Sequence, residues 1–313
     1  MIRIFSYSRS STRMETPGIA ELPQHLEDPD RVIWADLEDP DDEEMGVLGG
    51  IFGFHVLAAE DCIHGGYLPM FAQYDTYSFF VLHAIDTAEM EQHFQTIEVG
   101  CFLGERFLVT HHAKQVKGIF DARGKIAQNP GVLLNSPDGL LHNIIDAMTD
   151  HYTPAIAAFK NRIANTDNSP EEIKTFHIEA ATLLQIGKLQ QTVLARLSQE
   201  NVPFIANTYQ VYYQNVHTHQ IRAVQFAESC VAHLEAHLET QRTQAGHLQV
   251  QNIRTLIALT TTFATAIFLT VLMDPEIDNL ISISDEAWSI TTTLIVIIIS
   301  GGVAGFFKFK KWF

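Results

Sequence analysis

Five carboxylates, Asp274, Glu276, Asp278, Asp285 and Glu286, crowd the short segment 274–286, which has no Lys or Arg. Acids gathered without counter-charges concentrate cations. The run before them carries Thr255, Thr261, Thr262 and Thr265, which fall on one side of a helix at 100° per residue. A hydroxylated face of that kind either bonds back to its own helix and packs against neighbours, or lines a water-filled path. His233 and His237 stand one helical turn apart and could ligate a metal, although solvated helix positions are the simpler account. No nucleophile–base set, phosphate loop or metal-catalytic spacing is present, so an enzyme is not expected.

The elements that position these residues are apolar. Residues 253–273 carry one charge, Arg254 at the start, and residues 287–307 carry none. Each run is about 31 Å long as a helix, the thickness of a bilayer's hydrocarbon core. The pair predicts a transmembrane hairpin joined by the acidic loop 274–286. Positive residues stay inside. Arg254 before the first span and Lys308, Lys310 and Lys311 in the basic tail 308–313 therefore place both ends in the cytoplasm. Trp288 and Trp312 suit the two interfaces. In the second span Gly301, Gly302 and Gly305 permit close helix approach, which is packing rather than chemistry.

Ahead of the hairpin the chain has the character of a soluble, acidic protein. The net charge of −17 argues against nucleic acid, whose phosphates need clustered Lys and Arg. Three cysteines, Cys62, Cys101 and Cys230, have no zinc-knuckle or disulfide spacing, which fits a reducing compartment. The first residues lack the apolar run of a signal peptide, so this part is expected to stay cytoplasmic. Short β-rich runs at 2–7, 32–36, 71–74, 77–85, 96–103 and 106–111 alternate with helical spacing at 41–53 and 56–63. An acidic start at 39–42 suits the helix dipole. From 116 the pattern is helical. Ser136-Pro-Asp-Gly opens a helix over 138–163, and Asn168-Ser-Pro-Glu-Glu opens another reaching 199. Val224, Ala227, Val231, Leu234 and Leu238 repeat at 3,4 spacing, a coiled-coil-like seam. Continued at that spacing, it reaches Thr255, Leu259 and Thr262. This favours a pore face over packing, on a helix of about 105 Å that needs bundling in an oligomer. The domains expected are 1–135 (α/β), 136–252 (helical, with a long stalk), 253–273, 274–286, 287–307 and 308–313.

Several stretches in order resemble the CorA family of magnesium and divalent-cation transporters. They are Trp34-Ala-Asp-Leu-Glu-Asp-Pro, Phe52-Gly-Phe-His-Val-Leu-Ala-Ala-Glu-Asp-Cys-Ile-His64, Glu98-Val-Gly-Cys-Phe-Leu-Gly, Arg106-Phe-Leu-Val-Thr-His, and the closing Phe307-Lys-Phe-Lys-Lys-Trp-Phe. With two C-terminal spans, the resemblance covers nearly the whole length. It implies an α/β cytoplasmic funnel domain followed by a long stalk helix and two transmembrane helices, in a homopentamer of the inner (plasma) membrane. Its cargo would be a divalent metal cation, Mg²⁺ first, with Co²⁺, Ni²⁺ or Zn²⁺ as others, and no cofactor is implied.

The sequence departs from the family at two places. The family's Gly-Met-Asn motif is absent, and the first span ends Leu272-Met273-Asp274-Pro275-Glu276. One register keeps Met273 and puts Asp274 on the amide position, with Thr262 and Thr265 on the family's pore-facing positions, in agreement with the face that begins at Thr255. The other sets Asp274-Pro275-Glu276 on the motif and leaves Ala264 and Ile267 there. The first is preferred, and either places a carboxylate ring where the family has amides. Carboxylates attract cations more strongly but release them more slowly, so selectivity or rate should differ. In the family, the acid equivalent to Asp61 pairs across the subunit interface with an acid on the neighbouring stalk, and Mg²⁺ bridges them. Here the partner falls near Tyr213 to Asn215, and no Asp or Glu occurs over 201–227. That window holds His217 and His219 instead. Either the sensor is lost, or Asp61 with imidazole senses a softer metal such as Zn²⁺ or Co²⁺. The alternative to transport is a CorA-like membrane scaffold or regulator.

Overall fold

The computed structural model describes residues 1–88, 93–165, 169–272 and 285–309. They divide into two compact units, 1–235 and 236–313.

The first unit begins with β1 (Ile2–Ser8) and β2 (Arg13–Glu15), followed by α1 (Leu22–Glu27), β3 (Arg31–Glu38), α2 (Asp42–Gly50) and α3 (Val56–His64). Next come β4 (Met70–Gln73), β5 (Tyr77–Ile85), β6 (Thr96–Gly104) and β7 (Phe107–His112). The helices α4 (Lys117–Gln128), α5 (Pro130–Leu133), α6 (Pro137–Asp150), α7 (Tyr152–Ala164) and α8 (Pro170–Leu197) follow, α9 (Gln210–Leu272) begins in the first unit and continues past Glu235 into the second, and α10 (Asp285–Phe309) lies in the second unit. The strands form one sheet ordered β2-β1-β3-β7-β6-β5-β4. The β3–β7 pair is parallel, with Asp36 opposite Thr110.

Helices cover both sheet faces, which is why β5 is buried along its whole length rather than at alternate positions. Phe79 and Val81 join a cluster with Leu48 of α2 and Ala58 and Cys62 of α3. Phe80, Leu82 and Ala84 pack into a second cluster with Ile119 of α4, Ile144 of α6, Leu194 of α8 and Tyr213 of α9. Each large side chain sealed this way contributes about 1.5–3 kcal/mol.

The helix starts follow local chemistry. Asp41 caps α2 by accepting from the Glu44 amide at 2.9 Å, and Glu44 reaches back to the Asp41 amide at 3.2 Å. Ser136 and Ser169 accept from the amides of Gly139 and Glu172, with Pro137 and Pro170 at the first turns of α6 and α8.

The helix expected over 138–163 is two helices, α6 and α7, divided at His151. The stalk seam also behaves differently from expectation. Val224, Ala227 and Leu234 are buried within the protomer, and Ala227 packs in a cluster with Tyr152, Ile156 and Leu183 of α7 and α8. The 3,4 spacing between 224 and 234 thus records packing inside one chain, and gives no independent support for a symmetric bundle.

In the second unit, the large apolar side chains Leu256, Phe263, Ile267 and Phe268 of α9 are exposed, as are Ile290, Leu294, Ile297 and Ile298 of α10. Among the described residues no helix is long and apolar enough to cross a membrane. The expected spans 253–273 and 287–307 lie partly outside that set, which omits residue 273 and the side chains at 266, 269–272, 287–289 and 291–293.

Candidate cation-binding site

Asp61 lies on α3, half-buried, in the wall of a cavity of about 400 Å³. Asp39, Asp42 and Glu98 line the same cavity with Cys62 and His111, and among the described lining residues there is no Lys or Arg. The excess of negative charge acts on its neighbours. A hydrogen bond with Asp61 raises the Tyr67 phenol above its ordinary value. Burial, with Asp61 and Glu98 adding to it, pushes the Cys62 thiol up to about 12. His111 moves the other way: burial lowers its imidazole to about 4, so it is neutral at neutral pH. The chemistry available is attraction of a cation rather than nucleophilic attack. The remaining cysteines, Cys101 and Cys230, are also free and buried.

His217 and His219 sit near the start of α9. His217 is half-buried, and burial lowers its imidazole. The Nδ1 of His219 lies 3.7 Å from Oδ1 of Asp150 on α6. Among the described residues, Asp146, Asp150 and His219 are the group whose ligand atoms are close enough to share an ion, all within 4.8 Å of one another. Asp61 and His217 are not in that group. Sequence reading singled out His219 as a ligand type but paired it with Asp61. The i,i+4 spacing of Asp146 and Asp150 was the available signal for the other two.

At the position where the family's partner acid was expected, Tyr213 is fully buried, and its hydroxyl donates to the Asp138 carbonyl at 2.9 Å. Gln214 and Asn215 beside it are exposed amides.

Thr255, Thr262 and Thr265 lie on the more sheltered side of α9, in line with Ala258, which is fully buried. Their hydroxyls donate to the carbonyls four residues back, at 3.0, 2.8 and 2.7 Å respectively. This is the back-bonded arrangement that satisfies a hydroxyl in apolar surroundings. Lys308 is exposed in the last turn of α10, where a cation suits the helix dipole. Met273, Asp274 and Glu276, together with Lys310 and Lys311, lie outside the described residues.

A buried network that sequence reading did not foresee joins two of the matched stretches. The Trp34 indole donates to Thr110 Oγ1 at 3.1 Å, and Thr110 donates to Asp36 Oδ1 at 2.6 Å. Arg123 of α4 approaches Asp36 at 3.5 Å and Glu38 at 3.1 Å, and Arg3 reaches Glu38 at 2.6 Å. Trp34-Ala-Asp-Leu-Glu and Arg106-Phe-Leu-Val-Thr-His are therefore neighbouring parallel strands, coupled by side chains as well as backbone.

A two-sided α/β layer followed by a 63-residue helix and a second C-terminal helix defines the architectural class. The chain belongs to the CorA-like Mg²⁺ transporter protein family, whose model matches residues 29–311. It is similar to the putative metal ion transporter YfjQ of Bacillus subtilis (strain 168), at 28% identity over 221 residues, 66% of each chain. The cobalt/magnesium transport protein CorA of Thermotoga maritima is 21% identical over 277 residues, 85% of this chain and 78% of that one. In fold, the complete CorA magnesium transporter of Methanocaldococcus jannaschii superposes with a TM-score of 0.71 at 16% identity, covering 99% of this chain and 96% of the other. The family is one of transporters, not enzymes.

Proposed function

We propose that this protein is a homo-oligomeric, pentameric conduit for divalent metal cations, Mg²⁺ first among them, in the inner (plasma) membrane. The spans are 253–273 and 287–307, both termini are cytoplasmic, and the loop 274–286 faces out. The observation that carries the reading is the family match over 29–311, which runs through both apolar C-terminal helices. It is supported by the exposed aliphatic and aromatic side chains of α9 and α10, which need lipid or neighbouring helices to cover them.

In this reading Met273, Asp274 and Glu276 form the selective entrance. Capture is electrostatic, and the carboxylates slow release relative to a ring of amides. Thr255, Thr262 and Thr265 follow along the same helix, and Lys308, Lys310 and Lys311 anchor the cytoplasmic end. Thr262→Val separates the two roles open to the hydroxyl line. A pore-lining role requires altered flux with intact assembly, whereas a packing role requires altered assembly.

The test is metal uptake into proteoliposomes. Flux of Mg²⁺, Co²⁺, Ni²⁺ or Zn²⁺ above empty vesicles is expected. Asp274→Asn combined with Glu276→Gln should weaken cation competition. Absence of flux for all four ions would sink the conduit in favour of a non-transporting membrane scaffold.

A further inference from the structure

Asp146 and Asp150 are one turn apart on α6, so both project from the same side of that helix. His219 approaches them from α9, a separate element within the same compact unit. Its Nδ1 stands 3.7 Å from Asp150 Oδ1, beyond the span of a hydrogen bond. That distance is close to the separation of two ligands on one tetrahedral metal, each bonded at about 2.0–2.2 Å. Among the described residues, neither aspartate makes an ion pair with Lys or Arg.

We propose that Asp146, Asp150 and His219 form a divalent transition-metal site within each protomer, of the Zn²⁺ class, that ties α6 to the first turns of α9. The ligand set decides the class. Two carboxylate oxygens and one imidazole nitrogen suit Zn²⁺, Co²⁺ or Ni²⁺. Mg²⁺ prefers six oxygens in strict octahedral geometry and keeps its waters. Asp150 and His219 are partly open to solvent, so water completes the coordination shell and the ion exchanges freely. Because α9 continues to Leu272, occupancy would stiffen the start of the helix that leads to the proposed conduit. The site therefore reads metal concentration without a partner subunit. Only this sensing role rests on the transport reading; the binding chemistry does not.

The experiment is calorimetric titration of chelator-stripped, detergent-solubilised full-length protein with ZnCl₂. The parent is compared with Asp146→Asn, Asp150→Asn, His219→Ala and the control His217→Ala. Each of the first three should lose one Zn²⁺ equivalent per chain, or bind it at least tenfold more weakly, with unchanged circular dichroism. His217→Ala should match the parent, and equimolar MgCl₂ should leave the bound Zn²⁺ in place. Parental stoichiometry and affinity in all three variants would overturn the site, as would equal losses in His217→Ala. Displacement by equimolar MgCl₂ would overturn the assigned class. Zinc binding with no flux of Mg²⁺, Co²⁺, Ni²⁺ or Zn²⁺ in proteoliposomes would leave the site standing and remove the conduit.

Discussion

Oδ1 of Asp36 lies 3.1 Å from Nε2 of His112, with both side chains closed off from solvent. The other ring nitrogen of His112 faces the Lys114 carbonyl at 2.6 Å, so the imidazole meets an acceptor on each side. Thr110 and Arg123 converge on the same carboxylate. Asp36→Ala would strip Thr110 and His112 of a buried partner at once and leave Arg123 with Glu38 alone. Breaking a buried pair from one side costs about 3–5 kcal/mol. Chemical denaturation should register a loss of that order, and a loss below about 1 kcal/mol would mean that water compensates the network.

Gln190 repairs a sheet edge. β4 pairs with β5 only from Ser78 to Val81, so His83 has no strand partner on that side. Gln190 Oε1 accepts from the His83 amide at 2.7 Å, and the Tyr152 hydroxyl donates to the His83 carbonyl at 2.8 Å. Gln190→Leu keeps the volume but orphans a buried N–H, at a cost of about 1–3 kcal/mol. Hydrogen exchange at His83 should accelerate in step with that loss. Parental protection at this amide would show that the side chain is dispensable.

How much of this was legible in the sequence depended on whether the determining contact was local. β3, β5, β6 and β7 announce themselves as apolar β-rich runs because both sheet faces are covered. The caps at Asp41, Ser136 and Ser169 are legible because their partners lie three residues on. β2 is not: Arg13 and Glu15 are exposed, and the strand exists only through its pairing with β1. The break at His151 does not interrupt the apolar spacing, and its local signal is Pro154, which fits the first turn of α7 but not the middle of a helix. The seam at 224–234 was legible as a buried stripe, but periodicity cannot say whether its partner is the same chain or another. His219 was identifiable as a ligand type. Its pairing with Asp150 was not, because α7 and α8 intervene in the chain.

Acidification should weaken the first unit through its buried imidazoles. Burial lowers His111 to about 4 and also lowers His83, whose ring bonds Thr96 Oγ1 and the Tyr67 carbonyl in a pattern suited to the neutral form. The unfolded chain titrates near 6.5, so between about 6.5 and 4 it binds more protons than the folded one. Stability is therefore full above the unfolded value and declines as pH falls through that window. His111 alone accounts for up to about 3 kcal/mol of this. His111→Gln should flatten the slope of unfolding free energy against pH over this range. A parental slope in the variant would assign the acid sensitivity to other groups.

The buried Tyr213 bears on the Mg²⁺ sensor that the resemblance implies at Asp61, a site separate from the one on α6 and α9. Its ring is sealed in the core and its hydroxyl is committed to Asp138, so an acid at 213 would be buried without a counter-charge. Asn215 is exposed two residues on and could carry a carboxylate at no such cost. Under the proposed reading, Asn215→Asp supplies the stalk acid that the family pairs with the equivalent of Asp61. The variant should gain Mg²⁺-dependent protection from limited proteolysis relative to the parent, and adding Asp61→Ala should abolish the gain. Protection that persists in the double variant would show that Asp61 takes no part in it. Equal protection in parent and Asn215→Asp would show that an acid at 215 does not complete a site with Asp61.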